Sequence, residues 1–234
     1  KGKKLMNQFV YLGLLIFTLY YPLRKWYDSR VKLDKKWKDF LLSTLITAII
    51  FILWDIWFTE EGIWGFNNNY FLGIRIWLLP IEEILFFFVI PLACIFIYEV
   101  CKFYFPNGLN KHITFSLHLA FFLIALYNYT YFQDQLYTNV TAILQLVLTV
   151  STMVLFKKIK LPHFYYGYFF SLIPFFLVNG VLTKLPVVWY NDLENMNIRM
   201  GSIPLDDAFY LYDLLLLNIF LLEIFRKFGN PLRK

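Results

Sequence analysis

Two cysteines, three histidines and a charged share of 16% leave this 234-residue chain little of the usual material for chemistry. Cys94 and Cys101 sit at the end of one apolar run and just past it. Two thiols with no metal-ligand spacing exclude a disulfide framework and a zinc site, and read as small core residues. No glycine-rich nucleotide loop, metal-ligand cluster or nucleophile elbow occurs, and no cofactor motif is visible. The net charge of +6 does not make a nucleic-acid binder, because the basic residues lie between apolar segments rather than on one face. That placement suits loops at an anionic membrane surface, so membrane lipid rather than nucleic acid is the expected partner.

Apolar residues are abundant. They make up 59% of the chain, against about 45–50% in soluble domains. Aromatic residues alone reach 22%. A helix needs about 20 mainly apolar residues to cross the hydrocarbon core, and seven segments meet this: 5–22, 39–58, 79–100, 112–132, 138–156, 163–183 and 203–225. Lys1-Gly2-Lys3-Lys4 before an apolar run resembles a signal peptide. No small-residue cleavage site follows, and the run ends in Tyr20-Tyr21-Pro22, so it is expected to be the first membrane helix. Lipid satisfies no backbone hydrogen bonds, so the segments must be helices rather than open strands. The expected fold class is an all-α integral membrane protein. Basic residues gather on alternate loops: Arg24, Lys25, Arg30, Lys32, Lys35, Lys36 and Lys38; then Lys102 and Lys111; Lys157, Lys158 and Lys160; and Arg226, Lys227, Arg233 and Lys234. The opposite side holds Lys1, Lys3, Lys4, Arg75, Lys184 and Arg199. The positive-inside rule then expects an external N-terminus, a cytoplasmic C-terminus, and the loops 59–78 and 184–202 on the outer face of the cell membrane.

Those two loops carry an internal repeat. A shift of 124 residues aligns Thr59 with Thr183, Asn67 with Asn191, Arg75 with Arg199, Pro80 with Pro204, Glu82 with Asp206, Glu83 with Asp207 and Glu99 with Glu223. Chance similarity between apolar helices would preserve Leu and Phe, not this polar set. The repeat implies a duplicated three-helix unit, residues 1–104 and 137–234, with residues 105–136 carrying a joining fourth helix. Three helices plus one joint is an even number, so the halves run parallel about an axis along the membrane normal.

Pro80-Ile81-Glu82-Glu83 and Pro204-Leu205-Asp206-Asp207 each open a membrane helix. A proline at the first position and acids in the first turn complement a helix N-terminus. One acid would satisfy the dipole, however, and both halves retain two, at a boundary where ionised groups are costly and tend to be functional. A pseudo-twofold bundle brings the four carboxyls to one level. Adjacent carboxyls in an apolar setting cannot all ionise, so at least one is expected to keep its proton, the condition for a general acid. Trp54, Trp57, Phe58, Trp64, Phe66, Tyr70 and Trp77 precede the first pair, and Phe86, Phe87 and Phe88 follow it. Trp189 and Tyr190 precede the second, with Phe209, Tyr210 and Tyr212 after it. Such rings form interfacial belts in any membrane protein; alternatively their faces stabilise a carbocation. Arg75 and Arg199 are candidates to hold one carboxylate of each pair ionised. Asp55 lies near the acid clusters. Asp213 is deeper and is expected to hydrogen-bond to a neighbouring helix, while His118 reads as a satisfied packing residue. Glu99 and Glu223 close their helices where an acid is disfavoured, which calls for a basic partner, expected from a loop, and a structural role.

Gly62-Ile63-Trp64-Gly65-Phe66-Asn67, Leu79-Pro80-Ile81-Glu82-Glu83, Phe86-Phe87 and Ile97-Tyr98-Glu99 resemble the membrane-bound lycopene β-cyclases, which occur as two-subunit enzymes and as fused single chains. Pro186-Val187-Val188-Trp189-Tyr190-Asn191, Ile198-Arg199 and Ile203-Pro204 are similar to that family's second subunit. The chain departs from the pattern at Asn68 (usually proline), Ile84 (tryptophan), Asn197 (glycine), Asp206 (glutamate) and Leu222 (tyrosine). The resemblance implies cofactor-free isomerisation of a lipid-dissolved, lycopene-like polyene. Glu82 or Glu83 would donate a proton to the terminal double bond; a second carboxylate, of that pair or Asp206 and Asp207, would remove one from the closed ring. Trp54, Asp55, Trp64, Asn67, Phe86, Asn191 and Tyr210 are then the expected substrate contacts, with Arg75 and Arg199 in support. Two other functions use the same features: a proton-coupled transporter, with acids at a repeat interface, and a hydratase that adds water to the same cation.

Overall fold

In the computed structural model, residues 7–31, 33–35, 37–154 and 161–228 are described. Among them are seven α-helices: α1 (Val10–Arg24), α2 (Trp37–Glu60), α3 (Ile81–Tyr104), α4 (Lys111–Tyr131), α5 (Leu136–Val154), α6 (Leu161–Lys184) and α7 (Asp206–Phe228). The last six contain stretches long and apolar enough to cross a membrane, and α1 is a shorter apolar helix. The chain is an all-α, multi-pass membrane protein built from two three-helix repeats, α1–α3 and α5–α7, joined by α4. Several basic residues behind the expected orientation (Lys1, Lys3, Lys4, Lys32, Lys36, Lys157, Lys158, Lys160, Arg233 and Lys234) lie outside the described residues, as do 155–156 at the end of the fifth segment.

The third and seventh helices start two to three residues later than the apolar runs suggest, because Leu79–Pro80 and Ile203–Pro204 are strands. Proline explains the boundary. Pro80 precedes the first helical residue in an extended conformation (φ −56°, ψ 147°), a geometry its ring favours. Among the described residues are three small two-stranded sheets, in or at the ends of the connecting loops, where the sequence pattern suggested only loop or the start of a helix. β2 (Arg75–Ile76) pairs with β3 (Leu79–Pro80), and β5 (Arg199–Met200) with β6 (Ile203–Pro204).

The third sheet joins the halves. β1 (Trp64–Phe66) runs antiparallel to β4 (Val188–Tyr190), with Gly65 opposite Trp189 and Trp64 opposite Tyr190. Trp189 is itself the repeat counterpart of Gly65, so the pairing is centred on a pseudo-twofold axis. Asn67 N–H donates to the Val187 carbonyl while Asn191 N–H donates to that of Ile63, the same bond seen from each side of that axis. Helix packing follows the same symmetry. α3 and α7 touch at the centre, each packing against the first helix of its own half and the second helix of the other. The joining helix α4 packs mainly on α5, outside this arrangement, and most of it faces outward.

At the end remote from the loops, Glu99 and Glu223 meet Lys102 and Arg226. Arg226 Nη1 lies 2.7 Å from Glu99 and 3.1 Å from Glu223, and Lys102 Nζ lies 3.3 and 3.4 Å from the same two oxygens. The basic partners are therefore helical residues one turn on, not loop residues. They share a surrounding of low polarity in which unpaired acids would be costly. His118 is buried and bonded through one ring nitrogen to Tyr165 and through the other to Thr149 and Thr152, the satisfied packing role expected of it. Asp213 differs from expectation: it is buried, and neither carboxyl oxygen has a hydrogen-bond partner among the described residues.

Candidate active site

The acid pairs divide by helical geometry. Consecutive residues of a helix point about 100° apart, so the two acids of a pair cannot face one cavity equally. Glu82 Oε1 accepts the backbone N–H of Leu72 at 2.8 Å, and Asp206 Oδ2 that of Met196 at 3.3 Å. Both carboxyls turn back to the loops that precede their own helices, and Asp206 also accepts the Thr138 hydroxyl. Glu83 and Asp207 face inward instead and line a cavity of about 50 Å³ between the halves.

Asp55, Trp64, Phe66, Phe86, Phe87 and Tyr210 line it with them, and Tyr11, Tyr137, Phe175, Asn179, Leu182, Val188 and Tyr190 complete the wall. Asp207 accepts three hydrogen bonds: from Tyr137 Oη (2.6 Å), Asn179 Nδ2 (2.6 Å) and Tyr190 Oη (2.9 Å). Glu83 accepts one, from the Tyr11 hydroxyl, and shares the cavity wall with Asp55 and Asp207. Asp55 Oδ1 accepts from the Trp64 indole, and its Oδ2 is buried with no hydrogen-bond partner among the described residues. Tyr190, in the loop strand β4, has its phenol pushed well above the ordinary range by burial and then by the charge of Asp207, so it stays a donor.

The cavity wall largely repeats about the axis. Glu83 corresponds to Asp207, Phe86 to Tyr210 and Phe66 to Tyr190 in the shift of 124. Asp55 corresponds to Asn179, so one half presents a second carboxyl where the other presents an amide. Tyr11 and Tyr137 occupy equivalent places at an offset of 126, each bonded to its own half's inward acid.

Four of the expected substrate contacts, Asp55, Trp64, Phe86 and Tyr210, line the cavity. Trp54 does not; it stands behind Tyr210, their ring centroids 5.0 Å apart. Asn67 and Asn191 form turns, their side chains accepting the N–H groups of Asn69 and Leu193. Arg75 and Arg199 do not reach the acid pairs. Each donates across its own hairpin turn, to the carbonyls of Leu78 and Ser202, and each also holds the counterpart residue of its loop, Asn68 or Asp192. Their side chains brace the loops that carry the strands. Tyr11, Tyr137, Phe175 and Asn179 are cavity residues that motif reading missed. Asn179 was within reach of it, since the same shift lands there from Asp55. The tyrosines were not, because their offset differs by two residues.

A family model described as lycopene cyclase matches residues 4–101 and 133–225, the two halves without the joining helix. No curated protein and no solved structure matches the chain.

Proposed function

Because this chain belongs to the lycopene cyclase family, which makes it a carotenoid cyclase in the broad sense, we propose that it closes an acyclic carotenoid end group into a β-type ring by acid–base catalysis between Glu83 and Asp207. The observation that carries this reading is the unequal treatment of two facing carboxyls in one aromatic cavity. Three donors converge on Asp207, an arrangement suited to a carboxylate that accepts only. Glu83 has one donor and shares the cavity wall with a second carboxyl, Asp55, and of two carboxyls in one apolar cavity one keeps a proton to give.

Glu83 then donates its proton to the terminal double bond, leaving a tertiary cation. The next suitably placed double bond attacks that cation and closes a six-membered ring. Asp207 removes a ring proton, which sets the ring double bond. One proton enters and one leaves, so the reaction is an isomerisation, and proton return from Asp207 to Glu83 resets the site. The faces of Trp64, Phe86, Phe87 and Tyr210 stabilise the passing cation. A cavity of about 50 Å³ leaves little room for water that would trap it. The substrate end must therefore displace side chains of the wall as it seats.

The test is pigment analysis of lycopene-producing bacteria carrying the parent chain or Glu83→Gln, Asp207→Asn and Glu82→Gln variants at matched membrane abundance. Cyclised carotene from the parent and from Glu82→Gln, with none from the other two, supports the assignment. Unchanged lycopene from a folded parent removes the cyclase reading and leaves transport, while hydroxylated acyclic products indicate a hydratase. The same reading takes 1–104 and 137–234 as the repeat units with 105–136 between them, and places the N-terminus outside the cell. Reporter fusions at the two loops 59–78 and 184–202 would contradict that orientation if they label from the cytoplasm.

A further inference from the structure

The acid cavity is small, but a much larger apolar groove of about 980 Å³ opens between α1, α3 and α6. Phe17, Tyr21, Ala93, Phe96, Pro174 and Leu177 are among its lining residues. The hydroxyl of Thr18, also in the lining, is used within its own helix, donating to the Leu14 carbonyl at 2.8 Å.

The groove adjoins the cavity along two helices. On α3, Phe86 of the cavity, then Ala93 and Val100 of the groove, follow one another at seven-residue intervals and so share one stripe. On α6, Val178 of the groove is flanked by Phe175 and Asn179 of the cavity. From Glu83 to Tyr104, at the far end of the groove, α3 advances about 32 Å at about 1.5 Å per residue, a length that suits a rod-shaped polyene. The internal symmetry does not duplicate its floor. Leu217, buried, stands where Ala93 does, and Ile50 stands where Pro174 does.

We infer that this groove holds the unreacting length of the polyene, running down α3 from Phe86 past Ala93, while one end group reacts at Glu83. The inference rests on the cyclase reading and adds a direction to it: the substrate lies on the α1–α3–α6 side of the axis, and Ala93 sets the depth of its seat.

Ala93→Trp fills the groove, and Leu177→Trp, on another helix and 66% exposed, does the same from the rim. Leu53→Trp, at the repeat counterpart of Leu177 and 63% exposed, is the control. Each is assayed in lipid nanodiscs with a full-length acyclic polyene and with a truncated analogue that keeps one end group and half the chain. The expected result is a loss of about tenfold or more on the full-length substrate for both groove variants, as for an overpacked site. Turnover of the truncated analogue should stay within about twofold of the parent, and Leu53→Trp should match the parent on both. Groove variants that match the parent on the full-length substrate would mean that the groove holds membrane lipid only, and would overturn the inference. Equal loss on both substrates would overturn it too, by showing that the substitutions disturb the cavity itself. A parent inactive on both substrates would instead remove the cyclase reading.

Discussion

At the scale of single residues, adjacent acids with the same surroundings in sequence do different work. Glu82 accepts a loop N–H and Glu83 faces the cavity, so Glu82→Gln and Glu83→Gln should separate. Loss of a general acid lowers turnover about 10²–10⁴-fold, the drop expected for Glu83→Gln, while Glu82→Gln should chiefly lower thermal stability. Turnover and melting temperature measured on the same purified variants check both. The donors on Asp207 give a second prediction. Tyr190→Phe removes a hydrogen bond to a charged group, worth about 1.5–3 kcal/mol, and should lower turnover roughly ten- to hundredfold at unchanged abundance. Unchanged turnover in Tyr190→Phe would mean that this donor does not prepare the base. Pairing of the acids was legible in the sequence; which member faces inward was not. Helix phase relative to the axis decides that, and the phase depends on where Pro80 and Pro204 end their strands.

Among the elements, the two hairpins are the part least visible in the amino-acid pattern, since strands of two residues carry no periodicity. Their geometry repeats all the same. Gly73 and its counterpart Asn197 both have positive φ, 84° and 54°, and so do Trp77 and its counterpart Gly201, 58° and 68°. Asparagine is among the few residues other than glycine that accept this region, which explains why Asn197 can stand where the family resemblance calls for glycine. Asn197→Gly should therefore leave stability within about 0.5 kcal/mol, and Asn197→Val should lower it by about 1–3 kcal/mol through backbone strain. Thermal unfolding of the purified variants measures this, and equal stability of the two would refute the strain account. The helices were more legible, because runs of about 20 apolar residues have few other readings. The starts of α3 and α7 shifted where a paired strand and its proline overrode the apolar run, and α3 and α7 also run three to four residues past the expected ends, to Tyr104 and Phe228.

At the scale of the whole molecule, the duplication fixed which residues correspond but not which helices touch. Seven positions in one register are enough to infer two parallel halves. They do not reveal that each half packs its second helix against the third helix of the other. That exchange makes neither half a complete bundle. α2 packs on α7 through Ser43 and Thr44, which bond to Asn218, and α3 packs on α6. β1 pairs with β4 of the other half, and the Glu99–Glu223–Lys102–Arg226 cluster ties α3 to α7 at the opposite end. The cavity itself is shared, since Glu83 and Asp55 come from one half and Asp207 and Asn179 from the other. By contrast, the connection between α4 and α5 crosses only the short stretch 132–135. Breaking it removes one peptide bond, and the packed surfaces between the two pieces can re-form when they meet in the same membrane. Co-expression of 1–134 and 135–234 as separate chains should thus restore carotenoid cyclisation, with both pieces recovered together by a tag on either. Each piece alone should leave the acyclic pigment unchanged and accumulate poorly, because its half of the β1–β4 sheet and of the acid cavity has no partner. Activity from one piece alone would mean that a single half, or a pair of like halves, builds a working site, and the division of labour between Glu83 and Asp207 would fall with it.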